Sequence, residues 1–207
     1  MSTKTTTPSE NRTQTGAEQL AKAKSAIQVW QIDPGHTNAQ FAVRHLMIST
    51  VRGRFGAVSG TVTIDESNPA RSTADVTIDV NSIDSREPQR DAHLKSADFF
   101  DAARWPAMTF QGRRVEGDPK KKFRLIGDLT IKGVTREVVL EVESQGRGPD
   151  PWGNYRAGFE AKATLDRRDF GLVWNLVLET GGFVVGDEVK ITIDVELIRK
   201  AEPAAAA

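Results

Sequence analysis

Three histidines are the side chains in this 207-residue chain that are best suited to binding a metal. His36, His45 and His93 are enough, in number and type, for a zinc site that keeps one coordination position free for a reactant. However, His36 and His45 lie nine positions apart, on a turn and on a strand, and His93 lies in a separate helical segment. Nothing in this spacing forces the three imidazoles together. We therefore predict no metal site and no cofactor.

Asp91 and His93 offer the best acid–base pair, because they lie close together in one helical segment. The competing interpretation is a helix with solvent-exposed acids, which the pattern favours. No serine occupies a G-x-S-x-G elbow, and the chain has no phosphate loop. The absence of cysteine excludes thiolate chemistry and disulfides. We predict that the chain is not an enzyme; the alternative is an enzyme with His45, His93 and Asp91 as acid–base groups.

The run Arg167-Arg168-Asp169 has two interpretations, which the sequence leaves open. It could hold an anionic or hydroxyl head group of a ligand, or it could form a surface ion pair. Over the whole chain, 28 basic residues balance 28 acidic ones, so the formal net charge is zero. Since this balance gives no long-range field that attracts nucleic acid, we predict no nucleic-acid partner.

The segment from residue 30 to residue 60 sets the architecture. Phe41, Val43 and His45 share one strand face at a period of two, and the opposite face is nearly apolar as well. Such a strand is not typical of a sandwich with one wet face. Gly53 and Gly56 then interrupt the next strand, as corners of a closing antiparallel sheet do.

Similar alternation predicts further strands downstream, at residues 74–80, 123–131, 134–142, 155–165 and 189–197. A short helical insertion near residues 86–101 separates the first of these from the rest. We predict an all-β, antiparallel, lipocalin-like barrel of about eight strands, a size that encloses side chains or one small ligand. The small inward residues Ala157, Ala161 and Ala163 favour the ligand.

Both ends of the chain differ in composition from its middle. Residues 1–26 are predicted to be a disordered polar tail, residues 27–199 the barrel domain, and residues 200–207 a second disordered tail. The first 28 residues lack an apolar signal-peptide core, which predicts a cytoplasmic location. No run approaches the roughly 18 apolar residues of a transmembrane segment.

An ordered set of motifs resembles the YceI-like family of bacterial lipid-binding proteins. The motifs are W-Q-I-D-P-G-H-T at 30–37, F-A-V-R-H-L at 41–46, G-R-F at 53–55, R-D-A-H-L-K-S-A-D-F-F-D at 90–101, W-P-A-M-T-F at 105–110, G-D-L-T-I-K-G-V-T at 127–135, R-R-D-F-G at 167–171 and V-G-D-E-V at 185–189. The resemblance implies a lipocalin-like barrel with an elongated pocket for an isoprenoid chain or a related long amphiphile. Many members of the family carry a secretion signal, which is not visible here.

The predicted function is therefore non-catalytic binding, storage or transport of a long-chain isoprenoid or fatty amphiphile, such as an isoprenoid quinone. His45 is expected to be neutral and to bond a hydroxyl, quinone carbonyl or amide head, whereas Arg167 or Arg168 would favour a diphosphate. The neutral head is preferred because the sequence shows no concentrated positive site. A homodimer is an option that the sequence leaves open. The predicted ligand-binding residues are Phe41, Val43, His45, Phe55, Leu129, Ile131, Leu140, Phe159, Ala161, Arg167, Phe170 and Trp174.

Overall fold

The computed structural model describes residues 26–177 and 182–200. The two tails predicted at 1–26 and 200–207 lie outside the described residues, apart from Ala26 and Lys200 at their boundaries. Within the described ranges, no helix has the length and apolar character needed to cross a membrane.

The described chain is almost entirely β-structure with one short helix. Its elements are β1 (Ile27–Ile32), β2 (Asn38–His45), β3 (Ser49–Phe55), β4 (Val58–Asp65), β5 (Thr73–Asp79), β6 (Ile83–Asp84), α1 (Pro88–Lys95), β7 (Ala107–Gly117), β8 (Lys122–Ile131), β9 (Val134–Pro149), β10 (Asn154–Asp166) and β11 (Val185–Lys200). Short 3-10 turns lie at Pro69–Arg71, Val80–Ser82 and Arg167–Phe170.

Eight strands close into an antiparallel barrel in the order β1-β4-β5-β7-β8-β9-β10-β11, and β11 pairs back with β1. Strands β1 and β2 both pair with β11, so they form one long strand interrupted at residues 33–37. Strands β3 and β4 form the neighbouring long strand, interrupted at Gly56 and Ala57. The prediction of an eight-stranded barrel with a helical insertion is confirmed.

The interruption between β1 and β2 changes which residues face the interior. In β1 the buried side chains are the even-numbered Trp30 and Ile32, whereas in β2 the odd-numbered Ala39 is buried and Phe41 packs against the core. The Asp33 carboxylate holds this break, because it accepts a hydrogen bond from the Gly35 N–H at 3.0 Å. The break therefore keeps an apolar face inward along the whole double-length strand.

The barrel has two ends with different connections. At one end lie the start of β1, the loops 66–72, 118–121 and 150–153, and the close of β11; we call it the polar end. At the other lie the turn 46–48, the connection 80–106 with α1, the turn 132–133 and the loop that leads from β10 to β11. We call this the plugged end, because side chains from these connections fill it.

Aromatic and aliphatic side chains close the plugged end. Phe99, Phe110, Val138, Phe170 and Leu172 are buried in one cluster, and Phe100 and Trp174 pack against it. The His93 ring meets the rings of Phe99 and Trp174 edge-on, at centroid distances of 5.0 and 4.7 Å. Such tilted and edge-on contacts add to the stabilisation from burial of apolar area. Helix α1 is thus fixed to the barrel as part of a packed core.

Candidate ligand-binding cavity

A cavity of about 530 Å³ occupies the barrel interior. Its wall consists mainly of inward-facing aliphatic and aromatic side chains from the barrel strands. Three alanines of β10, Ala157, Ala161 and Ala163, line one side, where larger residues would fill the space. The volume lies within the roughly 300–1,000 Å³ that is typical of small-molecule sites.

Seven of the twelve predicted ligand-binding residues lie in the cavity wall. They are Phe41, Phe55, Leu129, Ile131, Leu140, Phe159 and Ala161. Each is on the inward face of its strand, as the period-two pattern indicates. Phe41 and Phe55 pack together at 5.8 Å between ring centroids and form the floor of the cavity, and Phe100 stacks edge-on behind Phe55 at 5.6 Å. The structure brings these residues together; their contact with a ligand stays a prediction.

Val43 and His45 are not part of the cavity wall. They share the strand face of Phe41, but they lie two and four residues closer to the plugged end, opposite Val189 and Val185 of β11. At about 3.4 Å per residue, His45 is therefore about 14 Å beyond Phe41 along the strand. The expected contact between His45 and a ligand head has no support in this geometry.

Phe170 and Trp174 were also among the predicted ligand-binding residues. Instead, Phe170 is 2% exposed within the plug, and Trp174 packs on Phe99 at 5.3 Å. Neither residue lines the cavity. They close the plugged end from outside the cavity floor.

Arg167, the expected ligand for an anionic head, is fully used by the protein. A guanidinium has five N–H donors. Those of Arg167 reach the backbone carbonyls of Gly186, Leu172, Trp174 and Val185 and the Asp187 carboxylate. Burial lowers the pKa of Arg167, and the Asp187 charge opposes that effect. Arg167 therefore fastens the loop of the plugged end and has no donor left for a ligand.

The three acid–base candidates share no side-chain partner. His93 contacts the Asp98 carboxylate at 2.9 Å. The Asp91 carboxylate accepts hydrogen bonds from the backbone N–H and the hydroxyl of Ser85. Among the described residues, no side-chain hydrogen bond or ion pair joins His45 to either of them. The structure does not assemble the three into one catalytic group.

One described cluster has the residue types of a metal site, namely Asp33, His36 and Glu196. The Arg156 guanidinium already contacts both carboxylates, at 2.7 Å for Asp33 and closer for Glu196, and it also binds Asp150 at 2.8 Å. The hydrogen bond from Arg156 is the main cause that holds the pKa of Asp33 below its usual value. A positive side chain thus sits where a cation would bind, and the cluster joins β10, β11 and the β1–β2 break.

Polar side chains reach the cavity at the polar end, and sequence reasoning missed them. Glu66, Lys120 and Arg147 are exposed there and line the cavity. Arg147 lies beyond the strand predicted at residues 134–142, whereas β9 continues to Pro149. A bulge opposite Gly158 and Phe159 places Arg147 opposite the inward-facing Ala157. The run of glycines at 146 and 148 was the available signal for this irregularity.

Comparison with known proteins agrees with this architecture. The model of the YceI-like domain matches residues 30–197. An UPF0312 protein of Pectobacterium carotovorum is 36% identical over 189 residues, which cover 90% of this chain and 95% of that protein. Protein YceI of Salmonella newport is 39% identical over 167 residues, covering 80% and 83%.

Solved structures show the same fold. A Campylobacter jejuni YceI protein superposes with a TM-score of 0.65 at 32% identity, covering 76% of this chain and 90% of that one. BcnA of Burkholderia cenocepacia gives a TM-score of 0.68 at 24% identity, covering 80% and 98%. A polyisoprenoid binding domain from Saccharophagus degradans gives 0.61 at 14% identity, covering 81% and 97%. The chain belongs to the YceI-like family.

Proposed function

We propose that this protein binds a long-chain isoprenoid or related amphiphilic lipid inside the barrel without chemically changing it, and so stores or transports it. The observation that carries the proposal is the 530 Å³ cavity, which is mainly apolar along the barrel and has its charged lining residues at one end. An amphiphile has the same division between tail and head. The structural neighbour from Saccharophagus degradans, a polyisoprenoid binding domain, supports this ligand class.

The volume of the cavity limits how much of a ligand tail it can hold. If each water-sized group of the ligand tail occupies roughly 30 Å³, a cavity of 530 Å³ accommodates about 18 such groups. Burial of ten methylene groups contributes about 8 kcal/mol at ~0.8 kcal/mol each. The entropy lost when a flexible chain is ordered offsets part of this gain. We therefore expect long tails to bind well and short ones weakly.

A carrier role is favoured over an enzyme acting on a prenyl lipid. An enzyme needs a base or nucleophile within hydrogen-bond reach of the reacting atom. His45 lies outside the cavity wall, as do His93 and Asp91. The arrangement can therefore hold and shield an apolar chain, and none of these three acid–base candidates is placed to act on it.

Native mass spectrometry of protein purified from cells tests the proposal. A carrier retains lipid at near-stoichiometric amounts, and the lipid extracted from the complex is chemically intact. Incubation with an added prenyl lipid then leaves that lipid unchanged. Turnover of the added lipid would support the enzyme, and a barrel that takes up no long amphiphile would contradict the proposal.

A further inference from the structure

We propose that the polar end is a binding site for an anionic head group, a carboxylate or a phosphate, held by Arg147, Arg199 and Lys120. This inference rests on the proposed function and adds the chemical class of the head. It replaces the neutral head that the sequence favoured. Arg147 of β9 and Lys120 of the loop between β7 and β8 line the cavity at this end. Arg199 does not line it, but it lies at the same end of the barrel, at the close of β11.

Arg147 is aimed across the end of the barrel. Its guanidinium contacts the Glu66 carboxylate at 2.8 Å. Glu66 directly follows β4, and β4 and β9 are four strands apart in either direction around the ring. The ion pair therefore joins opposite sides of the cavity end. Since both side chains are exposed by more than a third, the pair contributes little to stability and exchanges readily with another anion.

Arg199 lies on the inner side of β11 next to aromatic rings. Its guanidinium carbon is 5.2 Å from the Trp30 ring centroid and 5.6 Å from that of Tyr155. Trp30 is buried in the core and lines the cavity. Within the part of the chain that the structure describes, Arg199 makes no ion pair within 4.0 Å. The aromatic stack thus holds a positive charge beside the cavity without neutralising it.

Trp30 adds a donor that has no acceptor. The side chain is 1% exposed, and its Nε1–H makes no hydrogen bond to any described residue. A buried polar group without a partner is costly, so such a group in a native protein calls for a ligand or solvent acceptor. The Nε1 atom itself is enclosed by protein, so a head group would reach it only after the side chains around it moved.

The acids at this end do not cancel the three cations. The hydrogen bond from the Ser67 hydroxyl is the main cause that lowers the pKa of Asp65, and this carboxylate also accepts the N–H groups of Ser67 and Asn68. Asp118 accepts the Lys120 N–H in its own turn. Glu66 alone faces Arg147, and the Lys120 ammonium has no carboxylate within 4.0 Å among the described residues. A bound anion would take the place of Glu66 beside Arg147.

Two probes with the same tail test the head-group site, namely geranylgeranyl phosphate and neutral geranylgeraniol. We expect the wild-type protein to bind the phosphate at least about tenfold more tightly, a factor that one charge-assisted hydrogen bond provides. This preference should shrink at high salt. Arg147→Gln and Arg199→Gln should each lose most of the preference, because the affinity for the phosphate falls by a larger factor than the affinity for the alcohol. Glu66→Gln should increase affinity for the phosphate.

Arg113→Gln is the matched control, because Arg113 is an exposed arginine that pairs with Asp128 away from the cavity wall. Melting curves of every variant establish that it is folded, and Arg147→Lys provides a second variant that keeps the charge and part of the preference. Equal binding of phosphate and alcohol by the wild-type protein would overturn the head-group site while the proposed function stands. Binding of neither probe would overturn both.

Discussion

The same eight strands run between the two ends of this barrel, yet the polar side chains at the two ends have opposite environments. At the plugged end, Arg167 is 6% exposed and all five of its donors are bound by the protein. At the polar end, Arg147 is exposed and has one carboxylate partner across the cavity. A satisfied buried cation stabilises a loop, whereas an exposed one with an exchangeable partner is available to a ligand. With the proposed head-group site, the plugged end contributes stability and the polar end contributes recognition of the ligand.

The largest effect should come from the core of the plugged end. Phe170→Ala removes a side chain that is 2% exposed among packed aromatic and aliphatic residues. We expect a loss of about 3–5 kcal/mol in the free energy of unfolding, from lost burial plus the cavity left behind. Chemical denaturation measures it. Lys120→Ala at the polar end is the control and should change stability little; similar losses in both variants would remove the contrast between the ends.

Arg167→Met tests the fastening of the loop at this end. The change removes the guanidinium that donates hydrogen bonds to four backbone carbonyls and to Asp187. Each buried group left unsatisfied costs about 1–3 kcal/mol. Relaxation and water recover part of this, so we expect a loss of roughly 2–4 kcal/mol. Arg168→Met, at the exposed neighbour, should cost much less. An Arg167→Met protein with wild-type stability and altered head-group preference would mean that the two ends have been assigned the wrong roles.

Ala161→Trp tests the cavity that lies between the two ends. Ala161 lines the cavity opposite Ile193 and Val142, so an indole there should fill the space that the tail needs. We expect loss of lipid retention in native mass spectrometry while the barrel still melts cooperatively. Lys162→Trp places the same ring on the exposed outer face of β10 and should retain lipid. Equal retention in the two variants would argue against a ligand in the barrel.

The smallest effect should follow from His45→Phe. His45 lies beyond the cavity floor, towards the plugged end. We therefore expect the affinity for either prenyl probe to change by less than about twofold, within the range of a surface substitution. Titration of the variant with geranylgeraniol checks this. A tenfold loss would restore the histidine as a head-group ligand.

Strand periodicity predicted the fold and the apolar part of the cavity wall. Alternation placed Phe41, Leu129 and Ala161 on inward faces, and they do line the cavity. The pattern gives the face of a residue but not its depth along the barrel, which is why His45 was placed beside the ligand. The helix over residues 88–95 was also predictable, because Pro88 fits the first turn and the following residues form helices well.

The polar end could not be read from the sequence. Arg147 faces the cavity because a bulge changes the alternation of β9, and the glycines at 146 and 148 indicate an irregularity without giving the new register. The role proposed for Arg199 depends on its contact with Trp30. The two residues are distant in sequence and become adjacent through the strand pairing that closes the barrel. Arg167 sits in a motif whose two interpretations differ only in burial. Each of these depends on long-range pairing, which a local pattern does not specify.

The most direct test of the account is the position of a bound tail. We would crystallise the protein with a long-chain alkyl phosphate that carries bromine on its terminal carbon and locate the bromine by anomalous scattering. The account predicts a bromine peak inside the barrel beside Phe41 and Phe55, with the phosphate near Arg147 and Arg199. A bromine peak at the polar end, or outside the barrel, would contradict it.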